Sequence, residues 1–228
     1  MRSKKDKGIC AYCGVTPAAT RDHVVPKCLF PKPLPPLLIT APVCLKCNRD
    51  KARDEQYLRD ALIVDVYTSE HPVAKAIFDG EMARARARNR SEIARTARDA
   101  RMEPLYTPGG IYLGHHATMP LDWERISRTI SLMVRGLYWK LRGEPFPQGY
   151  TINVLRLDPL DVQTVWDAIN AAHFNGPYGL GDGIFACVMQ VVAEDPGMTR
   201  WLLWFYQNYV LLVTTKPEVP NPALEAPW

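Results

Sequence analysis

Four cysteines fall in two pairs of identical spacing, Cys10-x-x-Cys13 and Cys44-x-x-Cys47, and an Asp22-His23 dipeptide lies between them. Each pair can offer two thiolates from one tight turn, and two such pairs make the donor set of a closed, tetrahedral structural zinc site. Gly14 follows the first pair, where a knuckle turn needs positive φ. Asn48 follows Cys47 directly, so whatever fixes the cysteines also fixes Asn48. His is the side chain best suited to take a proton from water near neutral pH. Asp and Asn offer hard oxygens of the kind that hold a magnesium-like ion.

The combined pattern C-x-x-C, D-H-x-x-P, C-x-x-C-N-x-x-K covers about the first quarter of the chain. It resembles the HNH (His-Me finger) endonucleases, in their four-cysteine zinc branch. The resemblance implies a ββα-metal module, with a β-hairpin carrying Asp22 and His23 and a following helix carrying Asn48. It implies that His23 is the general base, and that Asp22 and Asn48 hold one catalytic Mg2+ or Mn2+ on the scissile phosphate of DNA. Cys10, Cys13, Cys44 and Cys47 would hold structural Zn2+. Arg21 is a candidate phosphate contact. Lys51, one helical turn beyond Asn48, is either a second phosphate contact or a solvated helix lysine.

One position departs from the family pattern. The stretch before the second cysteine pair, Ile39-Thr40-Ala41-Pro42-Val43, lacks the Asn that orients the base histidine in that family. Thr40 can offer a hydroxyl instead. A strand carbonyl is the better acceptor, because the ladder fixes it, so His23 is expected to be oriented by the main chain.

The elements that must position these residues follow from pattern. Thr20 to Val25 reads as one hairpin strand and Leu38 to Ala41 as the return. Six prolines among the seventeen residues Pro26 to Pro42 exclude a helix interior and predict a stiff loop. A helix is expected from Cys44 through about Leu62, with Tyr57, Leu58, Ala61 and Leu62 at helical spacing. A second helix is expected over 72–100, capped by Ser69. It carries Arg84, Arg86, Arg88, Arg90, Arg95, Arg98 and, just beyond its end, Arg101. Such a series suits a DNA-backbone contact or a solvated helix face, and arginine's helix-forming tendency favours the second.

Beyond Met102 a hairpin is expected around 111–113, an amphipathic helix over 120–141 and a strand over 150–157. A helix over 158–172 follows, then strands over 184–192 and 201–215, the last split near Asn208. The expected fold class is α+β. An HNH module spans 1–66, an arginine-rich helical connector 67–102, a small α+β domain with an antiparallel sheet 103–216 and a proline-rich tail 217–228. His115, His116 and His173 stand apart from acidic or cysteine clusters and read as loop or packing residues.

Composition sets the remaining bounds. Residues 1–60 hold 12 Lys and Arg against 6 Asp and Glu, whereas residues 103–228 hold 8 against 12. The positive field therefore lies with the candidate site, as a polyanionic substrate requires. Six cysteines, four of them in metal pairs, fit a reducing cytoplasm better than a disulfide framework, with Cys28 and Cys187 as buried small hydrophobes. No apolar run is long enough for a membrane span. The expected function is a metal-dependent DNA endonuclease, with a homodimer or protein partner held through the C-terminal domain. The alternatives are a zinc-containing nucleic-acid-binding module without catalysis, or a nuclease restrained by its C-terminal domain.

Overall fold

The computed structural model describes residues 8–84, 99–107, 109–170, 175–192 and 195–218. These form a mixed α+β chain with antiparallel sheets. Strands β1 (Thr20–His23) and β2 (Thr40–Val43) make a hairpin, and α1 (Leu45–Ile63) follows it directly. Helix α2 (Pro72–Ile77) leads into a π-turn at Phe78–Met82. A second hairpin pairs β3 (Arg101–Tyr106) with β4 (Tyr112–Thr118). Then come α3 (Trp123–Arg142), β5 (Tyr150–Arg156), α4 (Pro159–Asn170), β6 (Asn175–Leu180), β7 (Phe185–Val192), β8 (Asp195–Phe205) and β9 (Tyr209–Pro217). The last five strands make one antiparallel sheet in the order β5-β9-β8-β7-β6.

The sheet is buried on both faces around β8, which explains the unbroken apolar run in that strand. Trp201, Leu203 and Phe205 join the main core, while Leu202 and Trp204 pack with Val162, Val165 and Trp166 of α4. Successive residues on a strand point to opposite faces, so a run without alternation marks a strand covered twice. The main core is continuous from Cys10 and Tyr12, through Ile130 and Val134 of α3, to Val213 of β9.

Helix α3 joins the N-terminal hairpin and α1 to the five-stranded sheet. Its start is capped by Asp122, which accepts from the Arg125 N–H at 3.2 Å, and its end by Gly143 at φ +78. Asp54 of α1 accepts from Arg125 Nε at 2.7 Å and from Arg128 Nε at 2.9 Å. The Arg125 guanidinium also lies over the Tyr57 ring. Further contacts seat the proline-rich loop on the sheet. Tyr206 Oη donates to the Leu29 carbonyl and Tyr178 Oη to that of Leu37.

Gly136 is where α3 crosses the N-terminal hairpin. A Cβ there would lie 2.8 Å from Val24 Cγ2 and 3.0 Å from Tyr12 Cε1. Both neighbours are buried and have no room to withdraw. Ala at a helix interior normally gains about 1 kcal/mol over Gly, but overpacking costs about 1–3 kcal/mol. Gly136→Ala is therefore expected to destabilise despite the helix gain, lowering Tm by up to roughly 8 °C for a chain of this size. Thermal unfolding by circular dichroism measures it, and a raised Tm would place α3 further from the hairpin.

Several expectations shift. The return strand is Thr40–Val43, displaced toward the cysteines and including Pro42, which an edge strand tolerates. The cap of α2 is His71, whose Nδ1 accepts from the Val73 N–H, and not Ser69. The helix expected over 72–100 is described as far as Arg84 and again at Asp99 and Ala100. Arg86, Arg88, Arg90, Arg95 and Arg98 lie outside the described residues, and Arg101 belongs to β3. His115 and His116 sit in β4, where His115 Nδ1 meets Tyr112 Oη at 2.6 Å, and His173 lies outside the described residues. Strand β8 starts at Asp195, ahead of the expected Trp201. Among the described residues no helix is long and apolar enough to cross a membrane.

Candidate functional site

The site is built from two loops and one helix end. Cys10 and Cys13 flank a turn that returns through the Gly14 N–H to the Cys10 carbonyl at 2.9 Å. Gly14 has φ +69, so the residue type answers the turn. The Ala11 N–H donates to the Pro42 carbonyl, tying this turn to β2. Cys44 caps α1, its Sγ accepting from the Cys47 N–H at 3.4 Å.

The four sulfurs of Cys10, Cys13, Cys44 and Cys47 lie within 4.8 Å of one another. In a tetrahedral four-thiolate zinc site the sulfurs stand about 3.8 Å apart, so the cluster is compatible with zinc. The thiols are shifted in opposite directions. Burial pushes the Cys10 thiol up, and it pushes Cys47 far up, where the neighbouring cysteines add to the effect. At Cys13 burial is outweighed by N–H groups of Val15 and Thr16, which hold the thiol down at about 6. Four crowded thiolates need a dication to offset their mutual repulsion.

The hairpin register places Asp22 opposite Ala41 and His23 opposite Thr40. By strand alternation Asp22 shares a face with Ala41, both turned to the interior, while Arg21, His23 and Thr40 share the other face. On the inner face, Asp22 Oδ2 accepts from Tyr12 Oη at 2.8 Å and from Lys51 Nζ at 2.9 Å. Both bonds fall on the same oxygen, and among the described residues no donor sits on Oδ1. Burial, followed by the Asp22 charge, holds the Tyr12 hydroxyl well above its ordinary range, so it stays a donor.

Lys51 differs from both expectations made for it. It is 1% exposed, neither solvated nor facing a phosphate. Its three N–H bonds go to Asp22 Oδ2, to the His23 carbonyl at 2.7 Å and to Glu55 Oε1. A buried ammonium is tolerated when every donor is satisfied and a carboxylate faces it. Lys51 therefore locks the Asp22-His23 peptide to α1. Glu55 and Tyr12 were not singled out in the sequence. The i,i+4 spacing of Lys51 and Glu55 was the available signal, whereas nothing in the sequence marked Tyr12 beyond its place between two cysteines.

Removing this lysine tests the lock. Breaking a fully buried ion pair costs about 3–5 kcal/mol. Here the Asp22 and Glu55 side chains keep 15% and 22% exposure, so water recovers part of the loss. Lys51→Met is expected to cost roughly 2 kcal/mol of unfolding free energy, read as a lower urea midpoint with unchanged slope. A loss within 0.5 kcal/mol, roughly that of an ordinary surface substitution, would contradict the buried arrangement.

His23 is half-buried at the loop end of β1. Burial, then the Lys27 charge, lowers its pKa, with Asp22 opposing, so the imidazole is neutral at pH 7. The expected main-chain partner for its ring is not found among the described residues. The Ile39 carbonyl accepts from the Val24 N–H, and the Thr40 carbonyl from Arg21 Nη2 at 3.0 Å. The Thr40 hydroxyl is also taken, by Arg21 Nε and Nη2 at 3.1 and 2.8 Å. Arg21 thus lies along the hairpin beside His23, with its guanidinium held by Thr40.

Asn48 occupies the first turn of α1, its N–H bonded to the Cys44 carbonyl. Asn48, Lys51 and Glu55 recur at helical spacing on the face turned to the hairpin. No hydrogen bond engages the Asn48 amide among the described residues, and the side chain is half-buried. Asp22 Oδ1 and the Asn48 carbonyl are hard donors that fit a small divalent cation. No family model, curated protein or solved structure matches this chain, so its own geometry carries any functional reading.

Proposed function

We propose that the N-terminal hairpin and α1 form a metal-dependent phosphodiesterase site acting on DNA, as the resemblance to HNH endonucleases implies. The observation that carries this reading is the separation of His23 from Asp22 across one hairpin, with Asn48 on the Asp22 side. In-line displacement at phosphorus needs the attacking water and the leaving oxygen on opposite sides. A neutral His23 takes the proton from water on one side. Asp22 Oδ1 and the Asn48 oxygen would hold Mg2+ or Mn2+ on the other, where the ion supplies charge stabilisation at the leaving oxygen. Arg21, on the His23 face, is the candidate phosphate contact. Lys51 holds the Asp22-His23 peptide in place. Zn2+ on Cys10, Cys13, Cys44 and Cys47 is structural in this reading, tying the first loop to the helix that carries Asn48.

A second reading has one specific observation in its favour. Asp22 already faces a buried ammonium and a phenol, a stable arrangement without any ion. On that reading the hairpin is a zinc-stabilised nucleic-acid-binding module. The two part in a titration of supercoiled plasmid with Mg2+, Mn2+ or EDTA. Nicking or linearisation that needs the divalent ion supports the nuclease. Retention in a gel-shift assay with no cleavage under any ion supports the binder.

A further inference from the structure

Arg135 of α3 is a cation stacked on Phe146, in the segment that adjoins the Cys13–Gly14 turn. Its neighbour Gly136 brings α3 against Tyr12, which lies between Cys10 and Cys13. The Arg135 guanidinium lies 5.1 Å from the centre of the Phe146 ring. The segment beyond Phe146 closes over the same turn. Gln148 Nε2 donates to the Cys13 carbonyl at 3.0 Å, and a Cβ on Gly14 would stand 3.6 Å from the Phe146 carbonyl. Phe146 is itself 1% exposed, so the surface under the guanidinium is fixed.

We propose that Arg135 is a positioning residue for the zinc centre, offsetting the charge of the four-thiolate complex and tying α3 to it. Zn2+ with four thiolates carries a net charge of −2, and it lies among buried groups where uncompensated charge is costly. A guanidinium suits the place better than an ammonium, since it is weakly hydrated, stays protonated and stacks on an aromatic face. Burial pushes Arg135 down from its ordinary value, and the charges that push it back up are, in order, Cys13, Cys47 and Glu218. Groups outside the ligand shell commonly change metal affinity by about 10–100-fold. This inference rests on the zinc reading and is independent of cleavage.

The test is zinc affinity of the full chain, by competition with a chromophoric chelator. Wild-type protein is measured first, and failure to bind one equivalent of zinc overturns the zinc reading and this proposal together. Given wild-type binding, Arg135→Met is expected to weaken zinc affinity by about 10-fold or more, with Arg135→Lys recovering most of it. The proposal is overturned if Arg135→Met binds zinc within about twofold of wild type. It is overturned equally if Arg135→Lys, which keeps the charge, loses as much affinity as a neutral residue. Should Arg135→Met not fold, the lysine variant and Phe146→Leu, which removes the stacking surface and keeps the charge, decide it by the same affinity criterion.

Discussion

Cys44→Ser is expected to lose zinc and the fold of the N-terminal segment. Serine is a good helix N-cap, so the capping role that Cys44 plays for α1 survives the change. What disappears is one of four metal ligands. Zinc bound by four thiolates contributes on the order of 10 kcal/mol, comparable with the ~5–15 kcal/mol that stabilises a whole domain. The core here is continuous from Tyr12 through α3 to the five-stranded sheet. Loosening the first loop therefore removes the surface on which Gly136 packs, and α3 is expected to lose protection as well. Elemental analysis with hydrogen exchange reads both effects. A variant that keeps its thermal transition after losing its zinc would remove the metal from the account of stability.

His23→Ala is expected to lower DNA cleavage by about a hundredfold or more, with zinc content and fold unchanged. His23 is half-buried and its ring makes no hydrogen bond among the described residues, so truncation leaves no buried polar group unpaired. The peptide that Lys51 grips is gripped through the His23 carbonyl, which alanine retains. Loss of rate would therefore report the imidazole alone. Asn48→Ala is the informative companion. It should raise the Mg2+ concentration needed for half-maximal cleavage and leave the zinc in place, because its side chain bonds to no described residue.

The cysteine spacing and the apolar periodicity of α1 and α3 were legible because each is a local pattern. Cys44, Asp122 and Gly143 mark helix ends at the positions where caps occur. Strand β6 was not legible. Its sequence Asn175-Gly-Pro-Tyr-Gly-Leu180 has turn composition and becomes a strand by pairing with β7. The role of Lys51 was also hidden, since a lysine on a polar helix reads as solvated until β1 arrives to bury it. The orientation of His23 is not legible either, because the Ile39 carbonyl is taken by the Val24 N–H and the Thr40 hydroxyl by Arg21, and no pattern along the chain reveals such competition. Arg135 and Gln148 lie far along the chain from the cysteine turn, so only the packing of α3 and the segment after it brings them near.

The central claim is that His23 and a divalent ion on the Asp22 side act together on a phosphodiester. Single-turnover cleavage of an end-labelled duplex by wild-type protein and His23→Ala, prepared identically and matched for zinc, tests it most directly. The account predicts Mg2+- or Mn2+-dependent cleavage leaving 5′-phosphate and 3′-hydroxyl ends, abolished by EDTA and reduced about a hundredfold or more in the variant. Equal cleavage by both proteins would contradict it. So would binding of the duplex by wild-type protein with no cleavage under any divalent ion.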